Sequence, residues 1–146
     1  MTIRELRRED HDGWSELWSG YLSFYRQELS DEVTSTTFAR LCDASDGMFA
    51  LVALDAQGRP IGFAHAVVHP STWALAGYCY LEDLFVAPAA RGSDVARELI
   101  DATAAAARER GVARLYWHTQ QFNGAARSLY DKVGRLTSMI VYERDV

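Results

Sequence analysis

Two adjacent carboxylates, Glu82 and Asp83, interrupt an otherwise aromatic and apolar run from Tyr80 to Val86. Burying unpaired charge in a strand is costly, so the pair needs a chemical reason. A carboxylate in such a place can take a proton or hold a cation. A second feature follows within ten residues. Arg91-Gly92-Ser93 reads as a flexible basic turn, and Val95, Leu99, Ala102 and Ala106 then recur at helical spacing. A helix that opens on such a turn leaves unpaired backbone N–H groups at its positive end, which suits a phosphate or pyrophosphate. The two features together predict a site for an anionic ligand beside a base.

The elements that must position these residues can be read along the chain. The central strand, Tyr80–Val86, is ended by Pro88, which cannot donate to a ladder. The following helix runs from near Ser93 to about Arg110, with Gly111 as its stop. Thr2–Leu6 reads as a first strand. Asp12 is expected to cap a helix carrying Trp14, Leu17, Trp18, Tyr21, Leu22 and Tyr25 on one face. That stripe fits a core face. Its far end, Tyr21, Phe24 and Tyr25, also fits the mouth of a small-ligand pocket. A short helix over Thr34–Leu41, strands over Met48–Leu54 and Ile61–Val68, and a turn over Ala56–Pro60 come next. The spacing predicts a further strand over Val112–Thr119, a helix from Asn123 or Gly124 to Val133, and a last strand over Ser138–Arg144. The order is β-α-α-β-β-β-α-β-α-β, an α/β (α+β) chain with a mixed, twisted sheet flanked by helices.

Length and composition exclude several classes. The chain has 146 residues, which suits one domain over 1–146, and 49 % apolar residues, which suits a packed core. Its net charge of −5 argues against nucleic acid or an anionic membrane as partner and is compatible with a cationic substrate. Cys42 and Cys79 are the only cysteines, too few for a disulfide framework or a cysteine zinc site, and a reducing cytoplasm fits. His11, His65, His69 and His118 are scattered without metal spacing, so no metal is expected. No apolar run is long enough for a membrane span, and no signal-peptide pattern opens the chain.

Several words of the sequence together resemble the GNAT superfamily of acetyl-CoA-dependent N-acetyltransferases. They are Ile61-Gly62-Phe63-Ala64, the run Tyr80-Leu81-Glu82-Asp83-Leu84-Phe85-Val86, the turn Ala89-Ala90-Arg91-Gly92-Ser93-Asp94, and Asn123 seven residues before Tyr130. The first two words, with Asn123 and Tyr130, are similar to the spermidine/spermine and thialysine N-acetyltransferases. Tyr116-Trp117, Asn123 and Leu129-Tyr130 with Lys132-Val133-Gly134 are similar to the yeast histone and polyamine acetyltransferase branch. The resemblance covers nearly the whole chain. It implies acetyl-CoA as co-substrate and a small-molecule amine such as a polyamine, a thialysine-like compound or an amino acid. A protein lysine or N-terminal acceptor, and a domain that binds acyl-CoA without turnover, are the rival readings.

The resemblance also implies roles. Glu82 is the base, acting through water, and Tyr130 protonates the leaving sulfur. Asp83 holds the substrate ammonium; Tyr21 and Tyr25, read from the aromatic stripe itself, are expected to bind substrate by lining the mouth. Leu84 and Val86 pair their backbones with the pantetheine arm, and Asn123 hydrogen-bonds it. Arg91, Gly92, Ser93, Asp94, Val95 and Ala96 surround the pyrophosphate. Asp94 departs from the family pattern, where a small residue stands. Its charge is expected to weaken acetyl-CoA binding unless it caps the helix or pairs with Arg91 or Arg97. Adjacent strand residues point to opposite faces, so two neighbouring carboxylates reach one site only across a bulge, expected near Asp83–Phe85. Apolar Met139, Ile140, Val141 and Tyr142 in a row make the last strand a bare-edge hazard, which predicts a homodimer joined through it.

Overall fold

Short runs rich in apolar and aromatic residues build a five-stranded sheet in the computed structural model, which describes Met1–Val146. Its strands are β1 (Thr2–Glu5), β2 (Met48–Leu54), β3 (Pro60–Ser71), β4 (Ala74–Val86) and β5 (Leu115–Tyr116), side by side in that order. The first four are antiparallel; β5 joins β4 in parallel. Helices α1 (His11–Phe24) and α2 (Asp31–Asp43) precede β2, while α3 (Val95–Glu109) and α4 (Gly124–Val133) flank β5 in sequence.

Two apolar layers hold the sheet. On one face, Trp14, Leu17 and Trp18 of α1 and Phe38 and Leu41 of α2 pack on Val52, Phe63 and Phe85. This is the core-face reading of the α1 stripe. On the other, Val95, Leu99 and Ile100 of α3 pack on Leu51, Ala53, Ala64 and Leu81. Burying a side chain such as Leu99 is worth about 1.5–3 kcal/mol, so α3 is anchored along its full apolar stripe.

Some expected boundaries move. The residue that precedes α1 is Asp10, not Asp12, and its carboxylate does not cap the helix. It is taken instead by Arg4, whose Nη1 and Nη2 donate to Oδ2 and Oδ1 at 2.7 and 2.8 Å. Strands β3 and β4 run on through the expected loop and meet in a hairpin at Thr72-Trp73. The strand expected over Val112–Thr119 shortens to Leu115–Tyr116, because beyond Tyr116 the chain leaves β4 and Trp117 packs on Tyr130 of α4. The expected last strand, Ser138–Arg144, is absent from the sheet. No strand of its own chain lies beside it, and Met139, Ile140, Val141 and Tyr142 are all more than two-thirds exposed. No helix is long and apolar enough to cross a membrane.

Candidate active site

The site begins with a miscount in a ladder. His65 of β3 faces Asp83, yet the next residue, Ala66, faces Leu81. Glu82 is therefore the extra residue of a bulge. Leu81 and Leu84 both pack toward α3, so the two residues between them share the opposite face. The bulge lies at Glu82, one position ahead of the expected stretch, and it turns Glu82 and Asp83 to the same side.

The bulge has a second effect. Cys79 N–H donates to the Arg114 carbonyl on the β5 side. Beyond the bulge, Ala87 N–H donates to the Ile61 carbonyl on the β3 side. By antiparallel alternation, the backbone groups of Leu84 and Val86 then point away from β3, toward the side that β5 has left. β4 and β5 pair only at Cys79 and Tyr80, and beyond that they part. The Val86 carbonyl is not idle there: Arg91 Nε donates to it at 3.1 Å.

A pocket occupies the gap. Leu81, Glu82 and Leu84 line it from β4, Trp117 and His118 from the end of β5, Tyr130 from α4, and Tyr21 and Tyr25 from α1. It holds no lysine or arginine. Burial, and then the neighbouring Asp83 charge, push the Glu82 carboxyl above the usual carboxylate range. Burial also pushes the Tyr130 phenol up, so it keeps its proton. Tyr130 is set by its edge-to-face contact with Trp117, at 5.4 Å between ring centroids. Gly134 makes room for that indole: a Cβ there would stand 2.9 Å from Trp117. A larger groove, about 410 Å³, lies beside β5 under the C-terminal end of α3, lined by Ala107, Arg108, Val112 and Arg114 among others, with no carboxylate, histidine or thiol in its wall.

Asp83 does not stand open in this pocket. Its Oδ1 accepts the Tyr21 hydroxyl at 2.5 Å, and its Oδ2 meets His65 Nδ1 at 2.9 Å. Sequence reading set His65 aside for want of metal spacing; its register opposite Asp83 exists only in the folded sheet. Tyr21 is half-buried, while Tyr25 and Phe24 are exposed at the rim.

The anion end lies at α3. Gly92 takes φ +81°, the left-handed region, and nothing crowds it. Ser93 Oγ donates to the Ala90 carbonyl at 2.5 Å and tightens the turn. Asp94 occupies the cap position of α3 but makes no side-chain cap, leaving the first-turn amides at Val95 and Ala96 without a side-chain acceptor. Nor does Asp94 pair with Arg91 or Arg97, so neither expected relief of its charge forms. Arg91 packs its guanidinium over Phe85 and Phe24, 5.5 and 5.9 Å from the ring centroids. Asn123 caps α4, its Oδ1 accepting from Ala126 N–H at 3.4 Å, which leaves its amide nitrogen free for another partner.

The residues present fit a nucleotide thioester. They combine an unpaired helix start with a nearby cation, an open strand edge, and a pocket lined by a carboxylate and a phenol.

Comparisons with known proteins agree with this layout. The family model of the acetyltransferase (GNAT) family matches residues 4–134. The D-amino-acid N-acetyltransferase HPA3 of Saccharomyces cerevisiae is 34 % identical over 146 residues, covering 99 % of this chain and 91 % of that protein. The thialysine N-epsilon-acetyltransferase of Caenorhabditis elegans is 40 % identical over 63 residues, 43 % of this chain and 39 % of that protein. Among solved structures, the aminoglycoside acetyltransferase AAC(6')-Iy in complex with a CoA bisubstrate analogue superposes with a TM-score of 0.85 at 20 % identity. The alignment covers 99 % of this chain and 97 % of that one, a likeness of fold.

Proposed function

Since the chain belongs to the GNAT acetyltransferase family, we propose that it moves the acetyl group of acetyl-CoA to the primary amine of a small cationic molecule. The observation that carries this reading is that Glu82 of β4 and Tyr130 of α4 line one pocket in the gap between β4 and β5. A base and a proton donor are what acyl transfer to an amine requires.

An alkylammonium with a pKa near 10.4 costs about 4.6 kcal/mol to deprotonate at neutral pH. Glu82, raised by burial, is closer to neutrality than an ordinary carboxyl and takes that proton through water. Tyr130 keeps its proton and delivers it where the thiolate leaves. Acetyl-CoA supplies the activated acyl group as a thioester. Leu84 and Val86 present backbone groups along the open edge for the pantetheine arm, in the manner of an added strand; Asn123 offers its amide nitrogen. Arg91, Gly92, Ser93, Val95 and Ala96 receive the pyrophosphate.

The acidic pocket without a lysine or arginine supports a cationic acceptor, and Tyr25 forms its rim. The names of the relatives, a D-amino-acid and a thialysine acetyltransferase, support a small amine over a protein chain. The exposed apolar tail, Met139–Tyr142, supports a homodimer in which this segment pairs with a second copy; light scattering that returns a monomer removes that part of the reading.

The deciding experiment is thiol release from acetyl-CoA against polyamines, diamines, amino acids of both hands and a lysine peptide. Turnover with a small amine, lost in Glu82→Gln and in Tyr130→Phe, is expected. A clear preference for the peptide overturns the small-amine assignment. Acetyl-CoA binding without turnover of any acceptor overturns the catalytic roles.

A further inference from the structure

A chain of hydrogen bonds runs from the core to the acceptor pocket. Trp14 Nε1 donates to His65 Nε2 at 2.9 Å, His65 Nδ1 meets Asp83 Oδ2 at 2.9 Å, and Tyr21 Oη donates to Asp83 Oδ1 at 2.5 Å. Its inner end is sealed: Trp14 is 0 % exposed and His65 2 %. Phe63 lies flat on the imidazole, 4.2 Å away at 10°, and Trp18 stands 5.4 Å from it.

The direction of the chain follows from its first member. An indole N–H can only donate. His65 Nε2 must therefore present its lone pair, and the ring proton sits on Nδ1, donated to Asp83. A second proton on Nε2 would face the Trp14 N–H head on in an aromatic cage that offers no other acceptor. Asp83, an acceptor at both oxygens, in turn fixes the Tyr21 hydroxyl as a donor toward itself. Tyr21 lines the pocket beside Glu82. With its only proton committed inward, its oxygen shows the pocket nothing but lone pairs.

We infer that Trp14 and His65 are positioning residues that orient Asp83 and, through it, make Tyr21 a dedicated acceptor for an N–H of the incoming amine. The amine then has two acceptors of different kinds. Glu82 takes one proton by way of water. Tyr21 holds another N–H without taking it, because burial and the Asp83 charge keep the phenol far from giving up its own. The neutral nitrogen stays anchored with its lone pair free to attack. Asp83 acts behind Tyr21 rather than as a bare clamp on the ammonium.

This inference rests on the small-amine reading for its substrate and on nothing but geometry for its polarity, so the test has two arms. Proton–nitrogen correlation spectra of the intact 15N-labelled protein report which His65 nitrogen carries hydrogen. Nδ1 alone is expected; a proton on Nε2 overturns the polarity. Steady-state kinetics form the second arm. Loss of a charge-assisted contact in Tyr21→Phe is expected to raise KM for the amine about ten-fold or more, with a smaller change in kcat and none in KM for acetyl-CoA. His65→Leu is expected to raise it similarly, His65→Asn to recover most of the loss by restoring the donor to Asp83, and His65→Leu to add nothing further in the Tyr21→Phe background. Additive losses, or an unchanged amine KM in Tyr21→Phe, overturn the inference. If the His65 variants do not fold, the wild-type spectrum and Tyr21→Phe decide it. If no amine is turned over, the substrate reading fails by itself, and the Nδ1 proton still decides the polarity.

Discussion

Leu81 and Leu84 stand three residues apart on β4, yet both pack toward α3. In an unbroken strand they would face opposite sides. The extra residue between them, Glu82, brings two carboxylates to one face and sends the backbone of Leu84 and Val86 to the open edge. One inserted position thus sets both the proposed base and the proposed docking edge.

The position proposed for the base carries a cost in stability. The Glu82 carboxyl is held above its unfolded range, first by burial and then by Asp83. A raised carboxyl contributes stability only below its unfolded value, about 4.3, and loses it as pH rises through the folded value. Once ionised, the folded carboxylate bears that penalty. Glu82→Gln is therefore expected to cut kcat by about a hundred-fold or more while raising the melting temperature at pH 7. Thermal melts beside kinetics check this; a lower melting temperature contradicts it.

The pH profile offers a separate check. The acid limb of kcat is expected above the ordinary glutamate range of about 4.3. Groups facing Glu82 are Asp83 and Tyr80 on its own strand, His65 on β3, Tyr21 and Tyr25 on α1, His118 after β5, and Tyr130 on α4. Of these, Asp83 contributes the main like charge. Asp83→Asn removes it, so the ionised form of Glu82 becomes easier to reach and the limb moves to lower pH. A limb that stays in place means that Glu82 is not the titrating base.

Asp94 tests the anion end. Its carboxylate has neither a cap bond nor an ion pair, and it stands at the helix start where pyrophosphate is proposed to bind. Solvent screens an exposed charge, so Asp94→Gly is expected to tighten acetyl-CoA binding by about five-fold rather than by orders of magnitude. The gain should shrink in high salt. Calorimetric titration at two ionic strengths measures it, and equal affinities would mean that the carboxylate points away from the ligand.

Arg4 and Asp10 anchor the first turn of the chain, with Arg7 N–H giving the same carboxylate a third donor at 2.8 Å. The Arg4 hydrogen bonds hold the Asp10 carboxyl below the usual range. Its stabilisation is present above the unfolded value, about 3.9, and is lost as pH falls through the folded one. Asp10→Asn is expected to cost about 2–3 kcal/mol at neutral pH, and the difference from the parent should close in acid. Denaturant titrations at several pH values follow both parts.

Much of this was legible in the residues alone. Patterning placed Met48–Leu54 to the residue, because a short continuous apolar run bounded by turn residues is a local signal. The glycine turn and the helix after it were legible for the same reason, and so was the need for a bulge, since adjacent carboxylates cannot share a face without one.

Other features had no local signal. That His65 meets Asp83 is a matter of register between two strands, and register is set by the whole ladder and the layers packed on it. That Trp14 and Tyr21, one helical stripe in sequence, serve opposite ends of one hydrogen-bond chain follows from how α1 lies across β3 and β4. The apolar run Met139–Tyr142 has strand composition but no neighbour in its own chain, and a strand exists only where another strand accepts its hydrogen bonds. The sequence by itself determined which residues are candidates for the chemistry and most of the local elements that hold them; the tertiary structure decided which of those residues meet, because meeting depends on pairing and packing between segments that local patterns do not encode.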